Sequence, residues 1–219
     1  MSRFFIHPEH ANEHGIVRLG GKLTSDWLLD AYSHGIFPWP VTNPQRKEQS
    51  ILVWSSPDPR YIFEFDQFHV SRRLERTCNS GRFRITFDTD FFGVINGCAK
   101  QHDQDGIWIT PAMIRAYTRL HRLGYAHSVE ARLGDELAGG VYGVALGGLF
   151  AAESMFFYHR DASKVALVAL MKHLKDRGYQ LVDIQTKTDH TARFGAVEIP
   201  RSEYLCRLQS ALRHTPKPF

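Results

Sequence analysis

The sequence contains few cysteines, and they are widely separated. Cys78, Cys98 and Cys206 form no Cys-x-x-Cys pair among the 219 residues. This spacing indicates neither a zinc site nor a disulfide framework. A sparse, odd set of thiols is typical of proteins in a reducing compartment, so we expect a cytoplasmic protein.

Long hydrophobic runs are also missing. The first ten residues, M-S-R-F-F-I-H-P-E-H, lack the apolar stretch of a secretory signal peptide. The uncharged run from Leu137 to Ala152 has 16 residues, of which five are glycine. A membrane helix needs about 20 apolar residues, so this run is too short and too often interrupted by glycine to span a bilayer.

The sequence lacks the common signatures of nucleotide and metal chemistry. It has no P-loop, no H-E-x-x-H and no G-x-S-x-G motif, and its 12 histidines are scattered. We therefore expect neither a bound cofactor nor a metal ion.

The overall composition is that of an ordinary globular protein. Hydrophobic residues make up 43% of the chain and charged residues 23%, and the length allows one large or two small domains. The net charge of +4 is mildly basic. This charge permits a polyanionic partner but does not demonstrate one.

The glycine-rich run predicts a buried hairpin. Strands over residues 140–145 and 149–152 would be joined at Gly147-Gly148, a pair that tolerates the positive φ of a tight turn. A strand that is apolar throughout is buried on both faces. Glu153 is then expected where the hairpin ends, either solvated at a sheet edge or directed at a cationic partner in a cleft.

Capping residues predict the helices. Each stands in front of a segment with helical spacing of apolar residues, and several of these segments end at a glycine. The predicted N-caps are Thr24, Ser71, Asp88, Thr110, and either Asp161 or Ser163. A last helix over residues 202–212 is expected behind Pro200.

Prolines predict loops in the first part of the chain. Residues 1–23 have no regular pattern, residues 35–40 (G-I-F-P-W-P) are interpreted as a stiff loop, and residues 41–50 as a surface loop. Short strands are expected at residues 51–54, 61–65, 83–87, 127–133 and 181–185.

This order of elements predicts an α+β fold. We expect a mixed, largely antiparallel sheet flanked by helices. A domain boundary near residues 79–81 would separate a small N-terminal α/β domain, residues 1–80, from a second domain, residues 81–219.

Two polar residues stand out in the last predicted strand. Asp183 and Gln185 lie two residues apart among apolar neighbours, so both side chains are expected on the same face. Buried polar groups need partners, so the pair is either a hydrogen-bonded pair that fixes a nearby loop or part of a reactive site. A structural role is equally open for Glu153.

Other candidates have ordinary interpretations as well. Trp39 and Trp108 adjoin loops, but a lone tryptophan is more often a core residue than a ligand platform. Arg72, Arg73 and Arg76 cluster behind Ser71, and such a cluster is more often a solvated helix face than a nucleic-acid contact.

Seven segments, in this order and spacing, resemble the leucyl/phenylalanyl-tRNA–protein transferases. They are A-Y-S-H-G-I-F-P-W-P at 31–40, W-S-S-P-D-P-R at 54–60, G-I-W-I-T at 106–110, G-G-V-Y-G-V-A at 139–145, L-F-A-A-E-S-M-F at 149–156, A-S-K at 162–164 and D-I-Q…D-H at 183–190. The resemblance extends from Gly20 to about Leu208. Seven linked motifs are far more specific than any one of them.

The resemblance implies an enzyme that moves Leu or Phe, and less readily Met, from aminoacyl-tRNA to the N-terminal Arg or Lys of a protein. The modified protein would be marked for degradation by the N-end rule. The resemblance also implies an acetyltransferase-like (GNAT-type) second domain, a monomer, and no need for ATP or metal because the aminoacyl ester is already activated.

Two alternatives stay open at this point. One is an acetyl-CoA-dependent N-acetyltransferase on the same fold, although the nearest phosphate-binding turn, R-L-G-G-K-L at 18–23, fails that pattern at its last position. The other is a tRNA-binding module without enzymatic activity.

The resemblance further implies roles for single residues. Asp183 and Gln185 would orient the acceptor amine and help to deprotonate it, with Gln185 positioning the amine and the carboxylate of Asp183 supplying the electrostatics. Glu153 would lie in the same cleft, beside the cationic side chain of the acceptor. The residues that would hold the terminal adenosine and the acceptor are Trp39, Trp108, Tyr32 and Tyr117.

The transferred side chain would occupy an apolar pocket lined by Phe150, Met155, Leu167, Leu170 and Leu174. Leu170 and Leu174 depart from the family pattern, in which aromatic residues are familiar at these positions, so the shape of the pocket is expected to differ.

Two further expectations follow. Arg72, Arg73 and Arg76 would contact the body of the tRNA. An Asp183→Asn change is expected to slow transfer with little effect on folding, because the two side chains have nearly the same shape.

Overall fold

The computed structural model describes residues 2–43, 46–101 and 109–219. The helices are α1 (Ser25–Ser33), α2 (Arg72–Asn79), α3 (Phe91–Gln101), α4 (Pro111–Arg122), α5 (Ala162–Arg177), α6 (Asp189–Ala192) and α7 (Arg201–Arg213). The strands are β1 (Ile16–Leu19), β2 (Phe37–Asn43), β3 (Arg46–Ser55), β4 (Arg60–Phe63), β5 (Arg84–Phe87), β6 (Ala126–Leu133), β7 (Glu136–Leu146), β8 (Leu149–Phe157), β9 (Leu181–Gln185) and β10 (Val197–Ile199). None of the described helices has the length and apolarity needed to cross a membrane.

These strands form two sheets. The smaller sheet has the order β1-β3-β2, with antiparallel neighbours. The larger sheet has the order β10-β4-β9-β8-β7-β6-β5, and each neighbouring pair is antiparallel except β8 and β9. Residues of α3 and α4 share one buried cluster with this sheet, and residues of α5 share another. The predicted α+β class with a mixed, largely antiparallel sheet flanked by helices is confirmed.

The predicted loops at residues 35–40 and 41–50 are wrong. Residues Phe37–Asn43 form β2, which pairs with β3 along its length. Proline lacks an N–H group and cannot donate a hydrogen bond to a neighbouring strand. Because β2 is an edge strand, the backbone nitrogens of Pro38 and Pro40 can face away from the sheet, where no donor is needed. Tertiary pairing therefore overrides the local proline signal.

Three smaller predictions also need correction. The irregular segment 1–23 contains β1, and β10 was not predicted. Asp88 does not cap α3. Instead, Oδ1 of Asp90 accepts from the N–H of Gly93 at 2.9 Å, while Oδ1 of Asp88 accepts from the N–H of Ser128 at 2.8 Å.

The remaining helix starts agree with the sequence. The side chains of Thr24, Ser71 and Thr110 each accept a hydrogen bond from a backbone N–H in the first turn of the following helix. Asp161 occupies the N-cap position of α5, although its side chain makes no capping bond. Helix α5 ends at Gly178, with φ of 83°, in agreement with the expectation that several helices end at a glycine.

Strand β4 crosses the predicted division of the chain. It belongs to residues 1–80, yet it pairs with β9 and β10 in the seven-stranded sheet. The boundary near residue 80 stays a prediction, but β4 ties the first part of the chain directly to the larger sheet.

Strand β8 is longer than the sequence predicted. The turn at Gly147-Gly148 is confirmed, with φ of 51° at Gly147, but β8 continues to Phe157. The prediction that Glu153 marks the end of the hairpin is therefore wrong, because this residue lies within the strand.

Glu153 occupies an irregular position in β8. Tyr142 lies opposite Ser154, and Gly143 lies opposite Ala152, so Glu153 is an extra residue without an opposite partner. This is the geometry of a β-bulge, which redirects a side chain and is over-represented beside active sites.

Strands β8 and β9 pair only at their beginnings. Their register runs from Leu149 opposite Leu181 to Ala151 opposite Asp183. The next residues of both strands line a common cavity. Ligands of sheets with parallel strands bind at the carboxyl ends of those strands, and the candidate site lies there.

Candidate active site

The cavity between β8 and β9 has a volume of about 580 Å³. Most of its wall is apolar, with a few polar groups, as is typical of small-molecule sites. The lining residues that matter below are Trp39, Phe63, Glu153, Ser154, Met155, Leu167, Gln185, Thr188, His190 and Thr191.

Glu153 is the carboxylate of this cavity. Its Oε2 accepts a hydrogen bond of 3.1 Å from the hydroxyl of Tyr117, which is itself hydrogen-bonded to the hydroxyl of Tyr32. Burial raises the pKa of Glu153 to about 7, although the hydroxyls of Tyr32 and Tyr117 oppose the shift. Glu153 can therefore gain or lose a proton near neutral pH.

Gln185 ends β9 in an unusual backbone conformation. Its φ is 57°, in the left-handed region that residues other than glycine rarely adopt. The backbone N–H of Gln185 donates to Oδ1 of Asp183 at 2.9 Å, which helps to hold this conformation. The side chain of Gln185 lines the cavity as a result.

The amide of Gln185 joins the two separated strands. With its nitrogen turned toward the backbone, it donates to the carbonyls of Ala152 at 2.9 Å and Ile184 at 3.1 Å. The other end of the amide lies 3.5 Å from Oε1 of Glu153. In this orientation the amide oxygen of Gln185 faces Oε1 of Glu153. Two neighbouring acceptors fit a ligand with several hydrogen-bond donors.

Asp183 lies behind the cavity wall. Its side chain is 1% exposed and accepts from Nε of Arg60 at 2.8 Å, from Nη2 of Arg60 at 2.6 Å and from the hydroxyl of Tyr204 at 2.9 Å. Arg60 is equally buried. This two-point pairing of a guanidinium with a carboxylate is among the stronger hydrogen-bonded arrangements in proteins.

Asp183 and Gln185 therefore take different positions relative to the cavity. Strand alternation predicted both side chains on one face, but only Gln185 lines the cavity. The positive φ of Gln185 departs from strand geometry, so the alternation rule no longer applies at that residue.

The predicted apolar pocket divides into two groups. Met155 and Leu167 line the cavity. Phe150, Leu170 and Leu174 are buried in the core cluster behind it. These three can influence the depth of the pocket through packing.

The predicted aromatic residues also divide. Trp39 lines the cavity and is 40% exposed, whereas Tyr32 and Tyr117 are buried beneath Glu153. Trp108 lies outside the described residues.

The arginine cluster on α2 is not uniform. Arg72 and Arg76 are exposed. Arg73 donates to both carboxylate oxygens of Asp161, at 2.9 and 3.0 Å. The charge of Arg73 is thus matched within the protein, and Arg72 and Arg76 are more suitable for an outside partner.

Sequence reasoning missed Arg60 and Tyr204, which hold Asp183. They are 123 and 21 residues from Asp183 along the chain. A carboxylate in an apolar strand predicts a cationic partner, but the sequence has 27 Lys and Arg residues and gives no means of choosing among them. Within the described ranges, no group of three or more His, Cys, Asp and Glu residues could hold a metal ion.

Comparison with known families matches nearly the whole chain. The family model described as leucyl/phenylalanyl-tRNA protein transferase matches residues 62–209, and the model of the N-terminal domain of that transferase matches residues 21–58. The match over residues 62–209 begins within β4 and includes β8 and β9.

Several relatives with the same description are similar over most of their length. The leucyl/phenylalanyl-tRNA–protein transferase of Anaeromyxobacter sp. (strain Fw109-5) is 50% identical over 210 residues, covering 95% of this chain and 87% of the relative. That of Magnetococcus marinus is 49% identical over 213 residues, covering 95% and 88%.

Likeness to solved structures is much weaker. The C-terminal domain of a putative lysylphosphatidylglycerol synthetase from Agrobacterium fabrum has a TM-score of 0.40 and 10% identity, covering 85% of this chain and 62% of that one. This level of similarity supports no functional argument. The matches in sequence, in contrast, are extensive enough to assign the family. The chain belongs to the leucyl/phenylalanyl-tRNA–protein transferase family and is a transferase enzyme.

Proposed function

We propose that this chain transfers Leu or Phe, and less readily Met, from aminoacyl-tRNA to the N-terminal Arg or Lys of a protein, and that the transfer occurs in the cavity between β8 and β9. The product would be marked for N-end-rule degradation. The observation that carries the proposal is the pair of facing acceptors, Glu153 and Gln185, in an otherwise apolar cavity.

Glu153 and Gln185 receive the amino group of the acceptor protein. An α-amine has an ordinary pKa of about 7.7–8.0 and must be deprotonated before or during its attack. With a pKa of about 7, Glu153 can accept a proton at neutral pH. The amide oxygen of Gln185 accepts a second hydrogen and fixes the direction of the amine lone pair.

Asp183 acts through Gln185. Its carboxylate holds the backbone N–H of Gln185 and is held by Arg60 and Tyr204. Asp183 is therefore a positioning residue.

The donor lies along the apolar wall. Met155 and Leu167 contact the transferred side chain, and Phe150, Leu170 and Leu174 set the depth of the pocket from behind. Trp39 stacks on the terminal adenosine, a contact worth about 1–3 kcal/mol per base. We assign Trp108 to the same adenosine, and Tyr32 and Tyr117 to the support of Glu153.

The finer architecture is also part of the proposal. Residues 81–219 form an acetyltransferase-like (GNAT-type) domain, and residues 1–80 form a small domain that supplies Trp39. The separation of two parallel strands around the cavity supports this assignment. The chain works as a cytoplasmic monomer, in agreement with three free cysteines.

A single-turnover assay tests the function. Labelled Phe is expected to move from Phe-tRNA to a peptide that begins with Arg or Lys, and not to matched peptides that begin with Ala or with acetylated Arg. If the peptide is instead acetylated from acetyl-CoA, or Phe-tRNA binds without transfer, the proposed function is wrong.

Donor selection supplies a prediction for the pocket. The Leu167→Ala variant is expected to shift the ratio of kcat/KM for Phe over Leu by about tenfold, because hydrophobic pockets distinguish small volume differences by ~1–3 kcal/mol. Val should remain a poor donor because it branches at Cβ. Competition between Leu-tRNA, Phe-tRNA and Val-tRNA measures both effects.

Leu120→Ala is the matched control for this prediction. Leu120 is fully buried in the other core cluster and does not line the cavity, so its truncation should lower stability and leave the Leu/Phe ratio nearly unchanged. An unchanged ratio in Leu167→Ala, or efficient use of Val-tRNA, would show that the pocket is assigned wrongly.

The exposed arginines of α2 give a prediction for the tRNA body. Replacing Arg72 and Arg76 together with Gln is expected to weaken binding of Phe-tRNA and to reduce its dependence on salt. Each lost phosphate contact lowers the slope of log K against log salt by about 0.7–0.9. Transfer from a minimal phenylalanyl-adenosine should be unaffected.

Arg73→Gln is the control for this pair. It breaks the bond to Asp161, so it should lower the melting temperature without changing the salt slope. If the Arg72/Arg76 double variant has the slope of the wild type, α2 does not contact tRNA.

A further inference from the structure

His190 lines the cavity, but the reaction described above gives it no task. It belongs to the short helix α6 behind β9. Its Nε2 is buried and has no hydrogen-bond partner among the described residues. Buried polar atoms in native proteins are nearly always paired, so an unpaired nitrogen on a residue that lines a cavity is a candidate contact for a ligand.

The surroundings of His190 keep its ring neutral. Burial lowers its pKa, and the charges of Lys164 and Arg193 lower it further. A neutral imidazole has one N–H donor. The two nearby cations favour an electronegative partner over an ammonium group, and the ring of Phe194, 5.3 Å away, packs against the imidazole.

Three backbone donors of residues in the same wall are already used. The N–H of Thr188 donates to the hydroxyl of Thr191, and the N–H of Thr191 donates to the hydroxyl of Thr188. The N–H of Gln185 donates to Asp183. These groups cannot bind a substrate oxygen without giving up a bond.

Ser154 is the other cavity residue with an unpaired buried atom. Its hydroxyl lies beside the thiol of Cys98, whose pKa burial raises to about 12 while contact with Ser154 opposes the shift. This contact directs Ser154 toward the core, so His190 is the stronger candidate donor.

We propose that Nε2–H of His190 donates a hydrogen bond to the carbonyl oxygen of the aminoacyl ester and stabilises the negative charge that develops there. The inference rests on the proposed function of the cavity. It adds a catalytic residue to that function, because donors that face a developing oxyanion lower the barrier of acyl transfer.

The electrons and protons of the step balance with His190 as a donor only. The amine lone pair forms the C–N bond, and the carbonyl π pair moves to the oxygen that His190 contacts. Glu153 accepts the proton of the amine. When the oxyanion collapses, the bond to the ribose oxygen breaks, and that oxygen takes a proton, which Glu153 can return to it.

Two substitutions at one position separate donation from packing. His190→Leu removes the N–H, and His190→Gln retains an amide N–H at a similar distance from the backbone. We expect the single-turnover rate at saturating Phe-tRNA to fall about 10²-fold or more in His190→Leu, the range for loss of one oxyanion donor, and about tenfold in His190→Gln. The affinity for an amide-linked, non-reactive phenylalanyl-adenosine should stay within threefold in both.

His173→Leu is the matched control. His173 also has a buried, unpaired Nε2, but it packs against Phe87 and Phe219 and does not line the cavity. Its replacement should change the melting temperature and leave the single-turnover rate of the folded protein within threefold of the wild type.

Three results would overturn the role of His190. One is a His190→Leu rate within threefold of the wild type, and another is an equal loss in the Leu and Gln variants. The third applies if His190→Leu fails to fold. The side chain of His190→Asn is shorter than that of His190→Gln and places its N–H farther from the substrate, so equal rates for these two variants would also overturn the role of His190. A wild-type protein that transfers no Phe would overturn the proposed function itself, so the two failures are distinguishable.

Discussion

The Asp183→Asn variant is expected to lose much of its stability. Asparagine has no negative charge, so it leaves the guanidinium of Arg60 buried without a counter-charge. Breaking one side of a buried ion pair costs about 3–5 kcal/mol of unfolding free energy. For a chain of this size, the melting temperature should fall by roughly 6–20 °C.

The folded fraction of Asp183→Asn should also transfer Phe about 10²-fold more slowly, or worse. Asp183 holds the backbone N–H of Gln185, and that bond helps to fix the left-handed conformation that brings the amide to the cavity. A shift of about 1 Å in a positioning group can cost this much rate. Melting temperature and single-turnover rate, measured on one preparation, report the two losses separately.

A double variant tests whether the two losses have one cause. Arg60→Met combined with Asp183→Asn removes both buried charges, so part of the stability should return. Transfer should not return, because Gln185 still lacks the charged acceptor of its N–H. If transfer recovers in proportion to stability, Asp183 serves the fold alone and has no role in positioning Gln185.

Asp161→Asn is the control for this series. Asp161 also accepts two hydrogen bonds from an arginine, but its partner Arg73 is exposed and the pair does not line the cavity. An unpaired exposed arginine is solvated, so the stability loss should be smaller than in Asp183→Asn. Transfer per folded molecule should match the wild type.

The structure reverses the expectation from the sequence for Asp183→Asn. The sequence suggested little effect on folding because the two side chains have nearly the same shape. That argument omits Arg60, which meets Asp183 only because β4 pairs with β9. Shape similarity predicts tolerance only when the charge of the partner is also known.

The helix starts could be predicted because their causes are local. The side chains of Thr24, Ser71 and Thr110 each accept a hydrogen bond from the N–H only three residues later in the chain. Each interaction therefore depends on a few consecutive residues. The turn at Gly147-Gly148 is local in the same way. Such features depend little on the remainder of the chain.

A strand at residues 51–54 was predicted and lies within β3, but strands β1 and β2 of the small sheet could not be predicted because their causes are distant. Pro38 and Pro40 oppose strand structure locally, but β2 gains a partner in β3 and occupies an edge. Whether a strand is central or at an edge is a property of the assembled sheet. No window of sequence around the prolines contains that information.

The same limit applies to the candidate site. The polar residues of the cavity could be named from the sequence, but their directions could not. Glu153 is redirected by its register against Tyr142 and Gly143, and Gln185 by a positive φ. Alternation along a strand fails at both positions, which are the two that face each other across the cavity.

Glu153→Gln is expected to slow transfer by about 10²–10⁴-fold, the range for loss of a positioned proton acceptor. Glutamine keeps the shape of Glu153 and can bond Tyr117, so the fold should persist. In the wild type, the rate should rise with pH through the pKa of Glu153, about 7, because only the carboxylate can accept the proton. A second rise near pH 8 belongs to the acceptor amine.

The Glu153→Gln variant should lose the rise in transfer rate near pH 7 and keep the rise near pH 8. The groups that face Glu153 are Tyr32, Tyr117, Gln185 and, more distantly, Asp183 and Arg60. The tyrosine pKa values are raised by burial well above 10, so neither tyrosine can supply a rise near pH 7. The charges of Asp183 and Arg60 shift the pKa of Glu153 in opposite directions.

The stability of the wild type should change with pH in the opposite direction to the transfer rate, because the contribution of Glu153 falls as pH rises. The folded pKa of Glu153 is raised from 4.5 to about 7, so the folded state holds its proton more tightly than the unfolded state. The contribution of this group to stability is therefore present below pH 4.5 and declines as pH rises to about 7. Glu153→Gln does not ionise, so its melting temperature at pH 8 should equal or exceed that of the wild type.

Glu130→Gln is the matched control for the Glu153 prediction. Glu130 is also buried, but it is held by Thr86, Thr89 and Ser128 away from the cavity. Its replacement should lower the melting temperature and leave both rises of the pH profile in place. The role of Glu153 as proton acceptor is contradicted if Glu153→Gln keeps the rise near pH 7, or if Glu130→Gln removes it, because the titrating group would then be another residue.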